Sequence, residues 1–240
     1  MRVLLQPGFV LFRRPYRNTS LILEVFSRDH GRVGLVARGV RSAKGRRRAA
    51  LQPFMPLLLS WDQRGELGRL SAVEEAAGPL AIPPMRLFSA LYVNELLLRL
   101  LARDDPHPEL FPVYCRCLVE LSLTEANEEA VLRRFELALL ADLGYALPLA
   151  ADCDGAPLVA GREYRFLPQL GAVPTERGGV GVAVSGATLL ALAAGRLDEP
   201  EVLRQAKPLT RAALAALLAG KPLHSRALLL ARHRRRGATC

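Results

Sequence analysis

The amino-acid sequence predicts an α+β protein in which a small five-stranded barrel precedes a mainly helical domain. Residues 1–80 contain short runs of β-branched and aromatic residues, separated by turn-forming residues. Beyond Pro83 and Pro84, apolar residues recur at helical spacing. Residues 145–184 are rich in glycine and proline and interrupt the helical pattern. We therefore place a barrel domain at 1–80 and a helical domain at 81–240, with a small strand-and-loop insert at 145–184.

The N-terminal strands are predicted from short apolar runs that end at turn residues. They cover residues 9–12, 20–27, 32–41, 51–61 and 67–74, with a polar loop at 13–19 and a basic loop at 42–48. Five short strands without a long helix favour an OB-fold, the five-stranded barrel that binds nucleic acid. An SH3-like barrel would give much the same pattern and stays open.

The helices are predicted from apolar periodicity and from residues that begin or end a helix. They cover residues 85–103, 110–123, 125–143, 185–195 and 199–218. Thr124 and Ser185 are the expected N-caps of the third and fourth helices, and Gly144 ends the third. A basic tail follows the last helix.

Positive charge is concentrated at both ends of the chain. Residues 1–50 contain 12 Lys and Arg against 2 Asp and Glu, residues 51–203 contain 12 against 21, and residues 204–240 contain 9 against none. A genome rich in G·C pairs would favour arginine over lysine, but it would not remove acidic residues from two segments and enrich them between. The pattern therefore favours a polyanionic partner.

Several functional classes find no support in the sequence. No apolar run reaches the ~18–20 residues that span a bilayer, and Gln6 and Pro7 interrupt the start before a signal peptide could form. Four cysteines in 240 residues do not make a disulfide framework. Cys115 and Cys117 would point about 200° apart on a helix, which favours core packing. We expect a soluble cytoplasmic protein without catalytic residues or a cofactor.

Several segments, in order along nearly the whole chain, together resemble the RecO family of bacterial recombination mediators. One is Leu-Arg-Arg-Phe-Glu-Leu-Ala-Leu-Leu-Ala-Asp-Leu-Gly-Tyr at 132–145. The others cover residues 14–26, 31–42, 51–59, 92–97 and 220–226. Residues 145–184 fit the family pattern least well.

The resemblance implies a non-enzymatic factor of the RecF pathway of DNA repair, located at the nucleoid. Such a factor binds single- and double-stranded DNA, anneals complementary strands and partners RecR. It also contacts the C-terminal tail of single-stranded-DNA-binding protein (SSB) and helps to load RecA onto SSB-coated strands. Two other classes stay open from the residues alone: an OB-fold module that binds RNA, and an adaptor for acidic proteins that does not bind DNA.

The resemblance also raises the question of a metal. Many members of the family hold a structural zinc with pairs of cysteines in the insert. Here Cys153 is one possible ligand, and no further cysteine follows before Cys240. Because a structural zinc site needs four ligands, we interpret residues 145–184 as a degenerate zinc-finger-like insert and expect no bound metal.

The expected DNA contacts are basic residues of the barrel domain, because phosphates are neutralised by Lys and Arg. Arg41 is the first candidate. The full set is Arg13, Arg14, Arg17, Arg38, Arg41, Lys44, Arg46, Arg47 and Arg48. Tyr16, Phe54 and Trp61 could stack on bases, although a core position is the favoured interpretation for each of them.

The expected contact for the SSB tail lies on the third predicted helix. A short acidic tail with an apolar tip needs a hydrophobic surface edged by a cation, and Leu132-Arg133-Arg134-Phe135 offers one. The resemblance points to the same helix. Arg133 could instead form an ordinary i,i+4 ion pair with Glu129.

Overall fold

The computed structural model describes residues 1–40, 49–225 and 228, which form two compact units. Unit 1 contains Met1–Thr124 together with the C-terminal segment Leu223–Cys240, and unit 2 contains Glu125–Pro222. The described part of the chain has no helix that is both long and apolar enough to span a membrane.

Unit 1 is built on a closed five-stranded barrel, as predicted. Its strands are β1 (Arg2–Tyr16), β2 (Ser20–Ser27), β3 (Gly31–Ala37), β4 (Leu57–Asp62) and β5 (Gly68–Glu75), hydrogen-bonded in the order β1-β2-β3-β5-β4. Neighbouring strands are antiparallel except β3 and β5, which are parallel. This barrel confirms the OB-fold prediction.

Four strand boundaries differ from the prediction by more than one residue. β1 begins at Arg2 rather than at residue 9, because residues 2–8 pair with β4. β1 continues to Tyr16, because the polar residues predicted as a loop pair in register with the start of β2. β3 ends at Ala37, where Gly39 takes a φ of 71° within a turn. β4 begins only at Leu57, because Pro53 and Pro56 flank Phe54, whose φ of 66° is incompatible with a strand.

The barrel core contains the inward-facing residues of all five strands. Leu23, Val25 and Leu35 are fully buried in it, and Trp61 is 1% exposed. Phe54 is also buried. Trp61 and Phe54 are therefore core residues, which leaves Tyr16 as the accessible member of the three predicted stacking candidates.

Helices α1 (Leu87–Leu100) and α2 (Leu110–Ser122) cover part of the outer barrel surface. Phe9 and Phe26 contact Phe111 and Tyr114, with ring centroids 5.3–6.1 Å apart. The Tyr114 hydroxyl donates to Asn94 Oδ1 at 2.8 Å, and Asn94 Nδ2 donates to the Leu11 carbonyl at 3.1 Å. This relay fixes both helices on β1.

Unit 2 contains three helices and a small sheet. The helices are α3 (Glu128–Asp142), α4 (Gly186–Ala193) and α5 (Pro200–Leu217), and the sheet has the order β7-β6-β8, formed by β6 (Glu163–Leu167), β7 (Gly171–Pro174) and β8 (Val182–Ser185). Tyr164, Phe166 and Leu189 are fully buried in its core.

One predicted cap in unit 2 is confirmed and one is wrong. Ser185 caps α4 by accepting from the Thr188 amide. The N-cap of α3 is Asn127 rather than Thr124, because the Asn127 side chain accepts from the amides of Glu129 and Ala130. An asparagine satisfies the first helical amides as well as a threonine does, and it stands nearer to the first apolar turn.

Candidate nucleic-acid interface

The positive charge of the protein belongs to unit 1. Unit 1 contains 23 Lys and Arg against 11 Asp and Glu, and unit 2 contains 10 against 12. These counts give net charges of +12 and −2. A field this uneven attracts a polyanion to the barrel unit.

Glu95 explains why the C-terminal segment belongs to unit 1. Its carboxylate accepts hydrogen bonds from the amides of His224 and Ser225, at 2.9 and 2.8 Å, and from the Ser225 hydroxyl at 2.6 Å. Burial raises the pKa of Glu95, but the hydrogen bonds from Ser225 and His224 outweigh it and hold that pKa below its ordinary value. His224 and Ser225, the described start of the C-terminal segment, are thus held on α1 of the barrel unit.

The structure describes four of the predicted arginines. They lie near or just beyond the C-terminal ends of β1 and β3, the two strands on either side of β2. Arg14, Arg17 and Arg38 are exposed. Arg13 is half-buried and donates from Nη1 to the Leu51 carbonyl at 3.2 Å, so it holds the strand to the segment that precedes β4. Arg14 and Arg38 are available to phosphate, whereas Arg13 has a structural contact.

A fifth arginine joins this set through strand pairing. Arg14 pairs with Ile22, Ile22 with Val36, and Val36 with Arg69 of β5. Since strands lie about 4.8 Å apart, Arg14 and Arg69 are about 14 Å apart around the barrel, on one row of outward-facing residues. Sequence reasoning missed Arg69, because only the long-range parallel pairing of β3 with β5 brings it here.

The side chains of Arg14, Arg38 and Arg69 form no hydrogen bond or ion pair with other described residues. Exposed arginines of unit 2 behave differently: Arg162, Arg177 and Arg204 contact Glu176, Asp154 and Glu201 at 3.0, 2.7 and 2.5 Å. A guanidinium already neutralised by a carboxylate gives up that contact when it binds phosphate. The three barrel arginines have no such contact to lose within the described chain.

The one acidic side chain on the outer face of β2 is neutralised. Glu24 is mostly buried and forms a hydrogen-bonded ion pair with Arg103, while Arg32 Nε lies 3.9 Å from its second oxygen. Because both cations face this carboxylate, Glu24 does not repel an anion that approaches Arg14.

The remaining predicted DNA contacts lie outside the described residues: Arg41, Lys44, Arg46, Arg47 and Arg48. The described residues next to them in sequence, Val40 on one side and Ala50 and Leu51 on the other, belong to the barrel core. These five contacts stay predictions from the sequence.

Two aromatic side chains flank Arg14 on the outer face of β1. Phe12 is 50% exposed, and Tyr16 is half-buried with the Arg17 guanidinium 5.2 Å from its ring centroid. Sequence reasoning missed Phe12 because it ended the strand there. The alternation of residues 12, 14 and 16 would have placed all three on one face, had the strand been extended.

The two arginines predicted for the SSB tail differ in exposure. Arg133 is 3% exposed, and its guanidinium contacts Glu136 at 2.6 Å and Glu129 at 3.3 Å. The Glu129–Arg133 pair considered from the sequence is therefore present, and Lys207 of α5 contacts Glu129 as well, at 2.5 Å. Arg134 is exposed. The tail-binding role of both arginines stays a prediction.

No cluster of three or more His, Cys, Asp or Glu with metal-binding geometry occurs among residues 1–40, 49–225 and 228. Cys153 lies in a turn that Asp152 closes by accepting from the amides of Asp154 and Ala156. Cys117 is buried, and burial raises the pKa of the Cys115 thiol to about 11. A thiol with that pKa stays protonated at neutral pH and is a poor ligand or nucleophile.

Comparison with known families matches both parts of the chain. Residues 1–78 match the family model described as recombination protein O N terminal, and residues 84–227 match recombination protein O C terminal. The chain belongs to the RecO family. This membership assigns it to DNA repair and recombination, and it confirms the resemblance drawn from the sequence.

Curated RecO proteins are similar over nearly their whole length. The DNA repair protein RecO of Alkalilimnicola ehrlichii is 48% identical over 232 residues, which cover 95% of this chain and 91% of that protein. Those of Laribacter hongkongensis and Nitrosococcus oceani are each 47% identical, over 93% and 95% of this chain and 93% and 94% of theirs. The RecO match at 84–227 spans the residues of the insert, 145–184, that fitted least well by sequence.

Proposed function

We propose that this RecO chain is a non-enzymatic recombination mediator of the RecF pathway that acts at the nucleoid. It binds single- and double-stranded DNA, anneals complementary strands and, with RecR, helps to load RecA onto strands coated with SSB. The observation that carries the proposal is the set of exposed barrel arginines without carboxylate partners, Arg14, Arg38 and Arg69, in a unit of net charge +12.

Phosphate binding by these arginines accounts for affinity without sequence preference. Each neutralised phosphate releases condensed counterions, and this release drives binding regardless of the bases. Arg17, Arg41, Lys44, Arg46, Arg47 and Arg48 are proposed as further phosphate contacts. Arg13 contributes by holding β1 to Leu51.

Annealing follows from the same electrostatics. Two complementary strands repel each other through their phosphates, and a cationic surface that neutralises part of this charge lets them approach. Because the contacts go to the backbone, the base edges stay available for pairing. The mechanism needs binding and release only, which is consistent with a protein that carries out no covalent step.

The SSB contact is proposed on α3 of unit 2. Arg134 is the exposed cation of that helix. Leu132 and Phe135 are buried in the core, so the apolar surface expected from the sequence is not formed by these two residues, and the proposal rests on the charge of Arg134. An acidic tail would gain a charge-assisted hydrogen bond from Arg134. Arg133 would act through Glu129 and Glu136, which hold it inside the helix packing.

The proposal is tested by annealing of complementary oligonucleotides, bare and coated with SSB, followed by fluorescence. Wild-type protein should accelerate both reactions. Arg134→Ala should leave the bare reaction intact and slow the SSB-coated one, since loss of ~1.5–3 kcal/mol weakens tail binding roughly 10- to 150-fold. Arg116→Ala removes an exposed helical arginine from unit 1 and serves as the control.

Two results would contradict parts of this proposal. No acceleration of bare annealing by the wild type, or stronger binding to RNA than to DNA of the same sequence, would remove the mediator function. Equal affinity of wild type and Arg134→Ala for an SSB tail peptide, measured by fluorescence anisotropy, would remove Arg134 from the SSB site while leaving the DNA function standing.

A further inference from the structure

The outer face of β1 carries an alternating aromatic, cationic, aromatic sequence. No register shift interrupts the pairing of this segment with β2. Phe12 is opposite Glu24, Arg14 is opposite Ile22, and Tyr16 is opposite Ser20. The intervening Arg13 and Pro15 pair with Leu23 and Leu21, which belong to the barrel core. Side chains alternate across a strand, so Phe12, Arg14 and Tyr16 share the outward face.

The fold itself does not account for the exposure of Phe12. Phe9 and Phe26 lie on the same outer face, and α2 covers both, leaving them 5% and 0% exposed. Phe12 lies beyond this cover and is 50% exposed. Phe12 therefore presents an accessible aromatic ring beside the exposed Arg14.

The chemistry of this face fits a single strand of nucleic acid. Aromatic rings bind bases of any sequence through their flat surfaces, and an arginine between them binds the backbone. Phe12 and Tyr16 are four residues apart on one strand face and so lie about 13 Å from each other, nearly four times the ~3.4 Å separation of bases in a duplex strand. Bases can therefore meet these rings only when they are unstacked from one another, as in an extended single strand.

The charge around the rings supports the same occupant. Arg17 lies against the Tyr16 ring and adds a second cation beside the platform. Glu24, which pairs with Phe12 across the strands, is neutralised by Arg103. Arg69 lies on the cross-strand row of Arg14. A phosphate backbone that follows the rings thus meets cations on either side.

From this arrangement we infer that Phe12 and Tyr16 form a base-stacking platform for single-stranded DNA, with Arg14 on the intervening backbone. The platform lets the barrel distinguish a single strand, whose base faces are accessible, from a duplex, whose base faces are covered. This inference rests on the proposed DNA-binding function and names the strand type that its site selects.

The test is the affinity of Phe12→Ala and Tyr16→Ala for oligo(dT) and for duplex DNA of equal length. Each change should weaken single-strand binding about 5- to 150-fold, since stacking contributes ~1–3 kcal/mol per base. Duplex binding should stay unchanged. The salt dependence should also stay unchanged, because no charge is removed.

Two further variants separate stacking from a structural role. Phe12→Leu keeps an apolar side chain but lacks the aromatic surface, so it should lose single-strand affinity as Phe12→Ala does. Phe12→Trp should keep the affinity, and its added fluorescence should be quenched when oligo(dT) binds, against the buried Trp61 of the wild type as background. Urea unfolding midpoints show whether each variant is folded.

Two results would overturn the platform. One is full single-strand affinity in Phe12→Leu, and the other is an equal loss of affinity for single strands and for duplex DNA in Phe12→Ala and Tyr16→Ala. Full DNA affinity with weakened binding to the SSB tail or to RecR would make this face a protein contact instead. If wild-type protein itself fails to bind oligo(dT), the proposed function fails first, and the two failures are thereby distinguished.

Discussion

Gly31→Ala should destabilise unit 1 by about 3–5 kcal/mol, as judged from overpacking and backbone strain together. A Cβ at Gly31 would lie 1.7 Å from the Asp105 carbonyl oxygen, and its φ of 62° is in the left-handed region. The overlapping atom belongs to the backbone, so no side-chain rotation relieves it. Either the β2–β3 turn or the segment between α1 and α2 must move.

Gly39→Ala is the matched control for this prediction. Gly39 has a similar φ of 71°, but a Cβ there would meet nothing within 4 Å. Gly39→Ala should lower the free energy of unfolding by only about 1–2 kcal/mol, the strain of a left-handed backbone in a residue with a Cβ. Urea unfolding of the three proteins measures both costs. Equal midpoints for the two variants would show that the turn does not pack against Asp105 as described.

Arg133→Ala should destabilise unit 2 by about 3–5 kcal/mol, because it removes the cation that contacts a buried carboxylate. Glu136 is fully buried, and Arg133 Nη2 contacts it at 2.6 Å. Arg134→Ala, on the exposed side of the same helix, should stay within about 0.5 kcal/mol of the wild type. Thermal or urea unfolding separates the two.

A double variant shows whether Arg133→Ala lowers the free energy of unfolding because the Arg133–Glu136 ion pair is lost. Arg133→Met with Glu136→Leu removes both ions and keeps apolar volume, so it should recover most of the stability lost in Arg133→Ala. A double variant as unstable as the single one would mean that Arg133 contributes through packing of its stem. For the same reason Arg134, and not Arg133, is the variant of choice in assays of SSB binding.

The sequence was sufficient for the order and type of most elements. The run at residues 20–27 was predicted as a strand from its β-branched and aromatic residues, and β2 has the same bounds, so local pattern and fold agree. The same agreement holds for α1 and α2, whose apolar residues recur at helical spacing. Ser185 was also recognisable as a cap from its own chemistry and position.

The features that the sequence did not reveal depend on distant contacts. Arg13 to Tyr16 look like a loop because they are polar and include a proline, and only pairing with β2 makes them a strand. Arg69 reaches the row of Arg14 through the parallel pairing of β3 with β5. The burial of Arg133 breaks the expectation that arginine lies at the surface, and Glu136 on the same helix is what permits it.

The salt dependence of DNA affinity tests most directly whether Arg14, Arg38 and Arg69 of the barrel bind the DNA backbone. The comparison uses the wild type and two triple alanine variants with equal loss of charge. One lacks Arg14, Arg38 and Arg69. The other lacks Arg162, Arg177 and Arg204, which are paired with carboxylates in unit 2.

Plots of log affinity against log salt concentration for a single strand should separate these variants. The barrel variant should bind more weakly, with a slope flatter by up to about 0.7 for each lost phosphate contact. The unit 2 variant should keep the wild-type slope. An unchanged slope in the barrel variant, or the same flattening in both, would contradict the assignment of DNA binding to this surface.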